Sequence, residues 1–271
     1  MKLFVSDLDG TLFDEGILDQ DRRCSKKNIE AVQRWVHSGN RFAVATARPV
    51  HIRKMLEQQL KIQIDMIGGN GIELLFVDGT HVFHGTSAKS FFDIAEWISQ
   101  NQINATAAMK MKGKWIVSGV DRFPFTDVKR YRTFLSEGIV LNRKVADPDE
   151  LCSYLGVFVE PDTMSQVKEE LKLLFGKTLE FVSSDIDDID ILPKGISKGK
   201  GVCLLAQSLS LDLSDVIVAG DSENDISMFE AVECSYCMAG AEKTVQMKAK
   251  MIAESVAEAI DKELKKETDY M

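Results

Sequence analysis

Cysteine is scarce in this 271-residue chain: there are five, an odd number with no regular spacing. That pattern excludes the disulfide framework that staples small secreted domains. The one close pair, Cys234 and Cys237, lacks the second pair or histidine that a zinc site requires. In a strand, an offset of three also sends the two side chains to opposite faces. No apolar stretch approaches the about 20 residues that cross a bilayer. Asp7 and Asp9 interrupt the first apolar run too early for a secretory leader. Positive charge is short as well, with 33 Lys and Arg against 42 Asp and Glu and a formal charge of −9. Such a balance offers no basic footprint for nucleic acid or an anionic membrane. The four histidines form no i, i+4 ligand pair, and there is no internal repeat or low-complexity stretch. The expectation is a cytoplasmic protein with free thiols, a monomer or weak homo-oligomer.

What is present is an ordinary globular balance, 45% hydrophobic and 28% charged. The length suits one large domain or two moderate ones, with a substantial core. Apolar runs alternate with helical patterns at both ends. Leu3–Val5, Arg41–Ala45 and Asp65–Ile67 read as strands, with helices following Ser25 and Pro49 between them. The rhythm resumes with a helix over Gly199–Leu209, a strand over Val216–Ala219 and a helix over Asn224–Glu233. A strand over Ser235–Met238, a helix over Glu242–Lys250 and a terminal helix over Ser255–Lys266 complete it. This predicts an α/β fold, a doubly wound parallel sheet formed by 1–79 and 193–271. Residues 80–192 break the rhythm with alternating strands at Trp115–Val117, Gly156–Val159 and Leu179–Val182 and two helices, and read as an inserted α+β domain.

In open parallel sheets, ligands sit beyond the carboxyl ends of the strands. Asp7-Leu8-Asp9-Gly10-Thr11 leaves the first predicted strand at that place. A calcium loop counted from Asp7 fails, because Leu12 and Leu18 stand where Gly and Glu are needed. Thr46-Ala47-Arg48 ends the second strand, Lys198 opens a helix, and Gly220-Asp221-Ser222-Glu223-Asn224-Asp225 follows a later strand. Each is weak alone. Four stations in this order along one sheet rim are a specific signal.

These four stations resemble the motifs of the haloacid dehalogenase (HAD) superfamily, over nearly the whole chain. The insertion between the second and third motifs resembles the type 2 (C2B) cap of Cof-like sugar phosphatases. Asp190-Ile191-Leu192-Pro193, Gly195-Ile196-Ser197-Lys198-Gly199 and Asn70-Gly71 also resemble that subgroup. The resemblance implies a Rossmann-like core for chemistry and a cap for substrate specificity. It implies Asp7 as nucleophile, Asp9 as general acid and base, and Lys198 as the charge beside Asp7 and the phosphate. A Mg2+ ion would be held by Asp7, the Asp9 carbonyl and Asp221, with Asp225 orienting its shell. Leu8, Thr46, Ala47 and Asn224 would contact the phosphoryl group. Asn224 is open between donating to phosphate and holding Lys198. Arg48 and Asn70 are candidates for the leaving group.

Relatives that dehalogenate lack the second carboxylate, and ion-pumping relatives carry Lys-Thr after the nucleophile. Asp9 therefore favours hydrolysis of phosphate monoesters, of sugars or other small metabolites. A phosphomutase, and a non-catalytic metabolite- or metal-binding relative, are the alternatives. Two departures stand out: Ala47 where the family commonly has Gly, and the direct run Met251–Val256 in place of a longer Gly-containing loop.

Elsewhere the plain readings are preferred. Asp185, Asp187, Asp188 and Asp190 read as a solvated edge strand guarded by charge. Trp35, Trp97 and Trp115 read as packing residues, the histidines as surface or satisfied groups, and Lys262–Lys266 as a solvated face. Residues 105–146 carry a net +6 against −15 for the remainder. That stretch is either a polar outer face or a surface that guides an anionic substrate.

Overall fold

The computed structural model describes residues 1–13, 23–118, 138–140, 147–185 and 187–269. These form two compact units, Met1–Phe83 with Ser197–Met271, and His84–Ile196. The expected insertion, 80–192, differs from the second unit by a few residues at each end. One reason is that the strand His81–Phe83 pairs into the first unit's sheet.

The first unit begins with β1 (Leu3–Ser6), α1 (Lys26–His37), β2 (Arg41–Ala45), α2 (Arg53–Leu60) and β3 (Asp65–Gly68). The Ser25 side chain caps α1 by accepting from the Asn28 N–H at 3.3 Å. β4 (Glu73–Leu75) and β5 (His81–Phe83) follow, both antiparallel. This departs from a wholly parallel sheet. The turn Gly69–Gly71 is too short for the crossover that a parallel partner needs, so the chain doubles back.

The second unit holds β6 (Thr86–Ser87), α3 (Ala88–Gln100), β7 (Ala105–Met111), β8 (Lys114–Val117), β9 (Gly138–Val140), β10 (Leu151–Cys152) and β11 (Tyr154–Val159). α4 (Pro161–Phe175), β12 (Leu179–Asp185) and β13 (Asp188–Pro193) complete it. Its main sheet runs β12-β13-β11-β7-β8-β9, antiparallel except for β8 with β9. Phe91, Ile94 and Ile98 of α3, with Val167 and Leu171 of α4, share one core with Met109, Leu155, Val157 and Ile191.

The acidic run corrects the edge-strand reading. β13 lies between β12 and β11, and Asp187, Asp188 and Asp190 are buried. Tyr154 donates its hydroxyl to Asp188 at 3.1 Å, across Gly156, where a Cβ would stand 2.2 Å from that oxygen. Of the basic stretch, Arg122, Lys129, Arg130, Arg132, Arg143 and Lys144 lie outside the described residues. Lys112 pairs with Glu150, and Lys110 sits 5.3 Å from the centre of the Trp115 ring.

The first unit resumes with α5 (Lys198–Ser208), β14 (Val216–Gly220), α6 (Ile226–Ala231), β15 (Cys234–Met238), α7 (Lys243–Gln246), β16 (Met251–Ala253) and α8 (Val256–Asp269). α7 is shorter than the expected helix, and Met251–Ala253 adds an edge strand. The eight strands run β16-β15-β14-β1-β2-β3-β4-β5. Alternation along the strands splits the core into two layers. Phe4, Phe42 and Tyr236 face α1 and α8, while Leu3, Val5, Ala43 and Cys237 face α5 and α6. Cys234 and Cys237 thus do lie on opposite faces, and burial pushes both thiols up to about 11. Glu263 corrects the reading of Lys262–Lys266: it lies on the buried face of α8 and accepts the Tyr236 hydroxyl at 2.6 Å.

Candidate active site

β14, β1 and β2 are adjacent parallel strands, so Asp221, Asp7 and Thr46 leave the same rim of the sheet. The Asp7 N–H donates to the Ala219 carbonyl at 2.8 Å, which carries the β1–β14 ladder up to the carboxylate. Gly10 then turns the chain with φ +85°. A Cβ there would meet Asp221 Oδ2 at 2.4 Å. Gly220 plays a similar part, since its Cβ would stand 2.5 Å from the Asp225 carboxyl carbon. The two glycines let backbone approach carboxylates that a larger residue would displace.

Three carboxylates converge. Oxygens of Asp7, Asp221 and Asp225 lie within 4.8 Å of one another. Lys198, the first residue of α5, is buried between two of them and donates to Asp7 Oδ1 and Asp225 Oδ1, both at 2.6 Å. Asp225 Oδ2 accepts the main-chain N–H groups of Asp221 and Ser222, at 2.9 and 3.0 Å. Asp221 accepts hydroxyl bonds from Thr11 at 2.7 Å and Ser222 at 3.1 Å. Asp7 Oδ2 is buried and has no hydrogen-bond partner among the described residues.

Three carboxylates and one ammonium leave this cluster at −2. Burial, then the Asp225 charge, pushes the Asp7 carboxyl well above the carboxylate range, against the pull of Lys198. Asp221 is raised for the same two reasons. Burial works to lower Lys198, but Asp225 and Asp7 outweigh it and hold the ammonium above its ordinary value. Asp7, Asp221 and Lys198 thus all favour added positive charge. A divalent cation would bring the count to neutrality, and the bare Asp7 oxygen and hard carboxylate donors fit such an ion.

The other expected residues lie in the same unit, with different partners. Thr46 is buried, and its hydroxyl accepts the Arg48 N–H at 3.1 Å. Ala47 keeps a negative φ, so its Cβ is tolerated where glycine is common. Leu8 is wholly buried in the core. Asn70 is buried with φ +55° and accepts the Asn224 amide at 3.1 Å. Arg48 forms a two-pronged ion pair with Asp9, Nε to Oδ2 at 2.7 Å and Nη2 to Oδ1 at 2.9 Å. The Asp9 carboxylate is not part of the Asp7, Asp221 and Asp225 cluster.

With this geometry in view, a family model for haloacid dehalogenase-like hydrolases matches residues 4–263. The chain belongs to that family. An HMP-PP phosphatase of Cronobacter sakazakii is 28% identical over 84% of the chain and 80% of that protein. The 5-amino-6-(5-phospho-D-ribitylamino)uracil phosphatase of Escherichia coli K12 is 24% identical over 100% and 98%. A solved HAD subclass IIB sugar phosphatase shares the fold with TM-score 0.75 at 19% identity, covering 100% of both chains. Among the described residues, no helix is long and apolar enough to cross a membrane.

Sequence reasoning passed over Thr11, Ser222 and the bond between Arg48 and Asp9. Ser222 carried a legible signal: Ser222-x-x-Asp225 has capping-box spacing, and the structure forms that box. Thr11 and the Arg48–Asp9 pair had none, because their partners are 210 and 39 residues away in sequence.

Proposed function

We propose that this chain is a Mg2+-dependent phosphatase that hydrolyses small phosphorylated metabolites, sugar phosphates among them, through a phosphoryl group carried on Asp7. The observation that carries this reading is Asp7 itself. One of its oxygens is held by Lys198 and the other is buried and bare, beside two further carboxylates. Buried carboxylate oxygens are as a rule hydrogen-bonded, so a bare one marks a place for a ligand. The names of the phosphatases of Cronobacter sakazakii and Escherichia coli support small phosphorylated substrates. The five free thiols support a reducing cytoplasm as its compartment.

Asp7 attacks phosphorus in line with the leaving oxygen, while Asp9 gives that oxygen a proton. Asp7, the Asp9 carbonyl and Asp221 would hold Mg2+, which would supply charge to offset the cluster and to polarise the phosphoryl oxygens. Lys198 holds Asp7 in place and neutralises part of the developing charge. Thr46 accepts from Arg48, which leaves its O–H to donate to a phosphoryl oxygen. The Ala47 and Leu8 N–H groups add donors; the buried Leu8 side chain has no other means of contact. Asn70 accepts from the Asn224 amide and so orients Asn224, the expected phosphate contact. Asp225 acts one layer out, holding Lys198 and the main chain that carries Asp221.

The test is phosphate release from a panel of phosphorylated metabolites, with and without Mg2+, in labelled water. The expected result is free phosphate carrying solvent oxygen, abolished by Asp7→Asn. Transfer to another hydroxyl instead would mean a phosphomutase, and no Mg2+-dependent release on any substrate would overturn the reading.

A further inference from the structure

Lys198 meets carboxylates on two separate elements, and it does so from the first position of a helix. Its Nζ donates to Asp7 Oδ1 and Asp225 Oδ1, both at 2.6 Å, and its side chain is only 1% exposed. Packing holds a long buried side chain in one rotamer, so the reach of the ammonium depends on where α5 begins. Main-chain contacts set that start.

The first N–H groups of a helix have no carbonyl partner within it. In α5 the Lys200 N–H donates to the Ser197 hydroxyl at 3.1 Å, which is the helix's own N-cap. The Gly199 N–H leaves the helix and donates to Ser227 Oγ of α6 at 3.1 Å. That hydroxyl in turn donates to the Asn224 carbonyl at 3.2 Å. One side chain therefore links the peptide that follows Lys198 to the peptide that precedes Asp225. The two main chains lie close together here, since a Cβ on Gly199 would stand 2.0 Å from the Ser227 carbonyl oxygen. Gly71 packs as tightly on the cap, where its Cβ would stand 2.3 Å from the Ser197 carbonyl oxygen.

We propose that Ser227 is a positioning residue for Lys198. Its hydroxyl fixes the start of α5 against the turn that carries Asp225, and so holds the ammonium on both carboxylates. This rests on the phosphatase reading given above, in which Lys198 keeps Asp7 in place for attack. Without the hydroxyl, the Gly199 N–H and the Asn224 carbonyl lose their common partner. The first turn of α5 is then free to move relative to Asp225, and Lys198 can no longer keep both bonds short. The effect falls on the alignment of Asp7, hence on turnover more than on substrate binding.

The experiment measures kcat and KM on an aryl phosphate with Mg2+, together with urea unfolding, for the wild type and three variants. Ser227→Ala removes the link and leaves a good helix former in α6, so the variant should fold. It is expected to lower kcat about 10-fold while KM stays within about twofold. Ser227→Thr keeps a hydroxyl and should recover most of the rate. Ser25→Ala removes a comparable bond at the start of α1, and should lower the urea midpoint by a similar amount with kcat unchanged. A lowered urea midpoint with unchanged kcat in Ser227→Ala would make Ser227 a stabilising cap only and overturn the proposal. So would an equal loss of kcat in Ser25→Ala, or a Ser227→Thr variant as slow as Ser227→Ala. A wild type that releases no phosphate would instead remove the phosphatase reading, and this inference with it. An active wild type matched by Ser227→Ala would remove this inference alone.

Discussion

At the scale of single residues, the rim carboxylates depend on small neighbours and hydroxyls more than on one another. Gly10 combines φ +85° with an approach that would set a Cβ 2.4 Å from Asp221 Oδ2. Gly10→Ala must move either the turn or the carboxylate, and the expected outcome is about 10- to 100-fold weaker Mg2+ activation. A Mg2+ titration of activity checks it; an unchanged midpoint would show that Asp221 tolerates the shift. Tyr236 and Glu263 are a second buried pair, away from the rim. Burial works to raise the Glu263 carboxyl, but bonds from Lys266 and Tyr236 together hold it below its ordinary range. Its stabilising contribution is therefore full above the ordinary carboxylate range and is lost as pH falls through the lowered value. Tyr236→Phe should cost about 1–3 kcal/mol at neutral pH, read from urea unfolding, and shrink that acid sensitivity.

At the scale of elements, the site is a property of where strands end. β14, β1 and β2 run parallel and adjacent, and each hands one functional side chain to the rim. Caps then fix the helices that follow. Ser25→Ala removes the acceptor for the Asn28 N–H and should destabilise by about 1 kcal/mol without altering kcat. Ser222→Ala goes further, because Ser222 both caps the turn before α6 and donates to Asp221. It should weaken Mg2+ activation as well as stability, and paired unfolding and Mg2+ titrations separate the two effects. The strands of the parallel core were legible in sequence because buried strands are short apolar runs with clear stops. β4, β5 and β16 were not, since three-residue strands at or beside a sheet edge, such as Met251–Ala253, carry little pattern of their own. β13 misled for a related reason. Its charges suggested solvent, whereas Tyr154 and neighbouring strands bury them.

At the scale of the whole molecule, net charge of −9 conceals a local −2 cluster that attracts cations. Because burial and neighbouring carboxylates raise Asp7 and Asp221, these two groups should cost the metal-free protein stability as pH rises above the ordinary carboxylate range. Added Mg2+ should raise Tm, by more at pH 7 than at pH 5, in thermal melts with and without chelator. Equal increments at both pH values would mean that the cluster does not hold the ion. The basic stretch of the second unit invites a separate test. If it guides an anionic substrate, K112E with K114E should lower kcat/KM and flatten its salt dependence.

The sequence by itself determined the layered α/β core, the alternation of faces along its strands and the four rim stations. Periodicity and strand-end chemistry are local, and each is written in a few consecutive residues. Tertiary structure alone decided which charges meet. Lys198 reaches Asp7 across 191 positions and Asp225 across 27, and Arg48 reaches Asp9 across 39. Those contacts depend on strand order and loop length, which no local pattern encodes. The lack of excess positive charge that marked the sequence is, at the rim, a surplus of carboxylates, two of them bridged by Lys198.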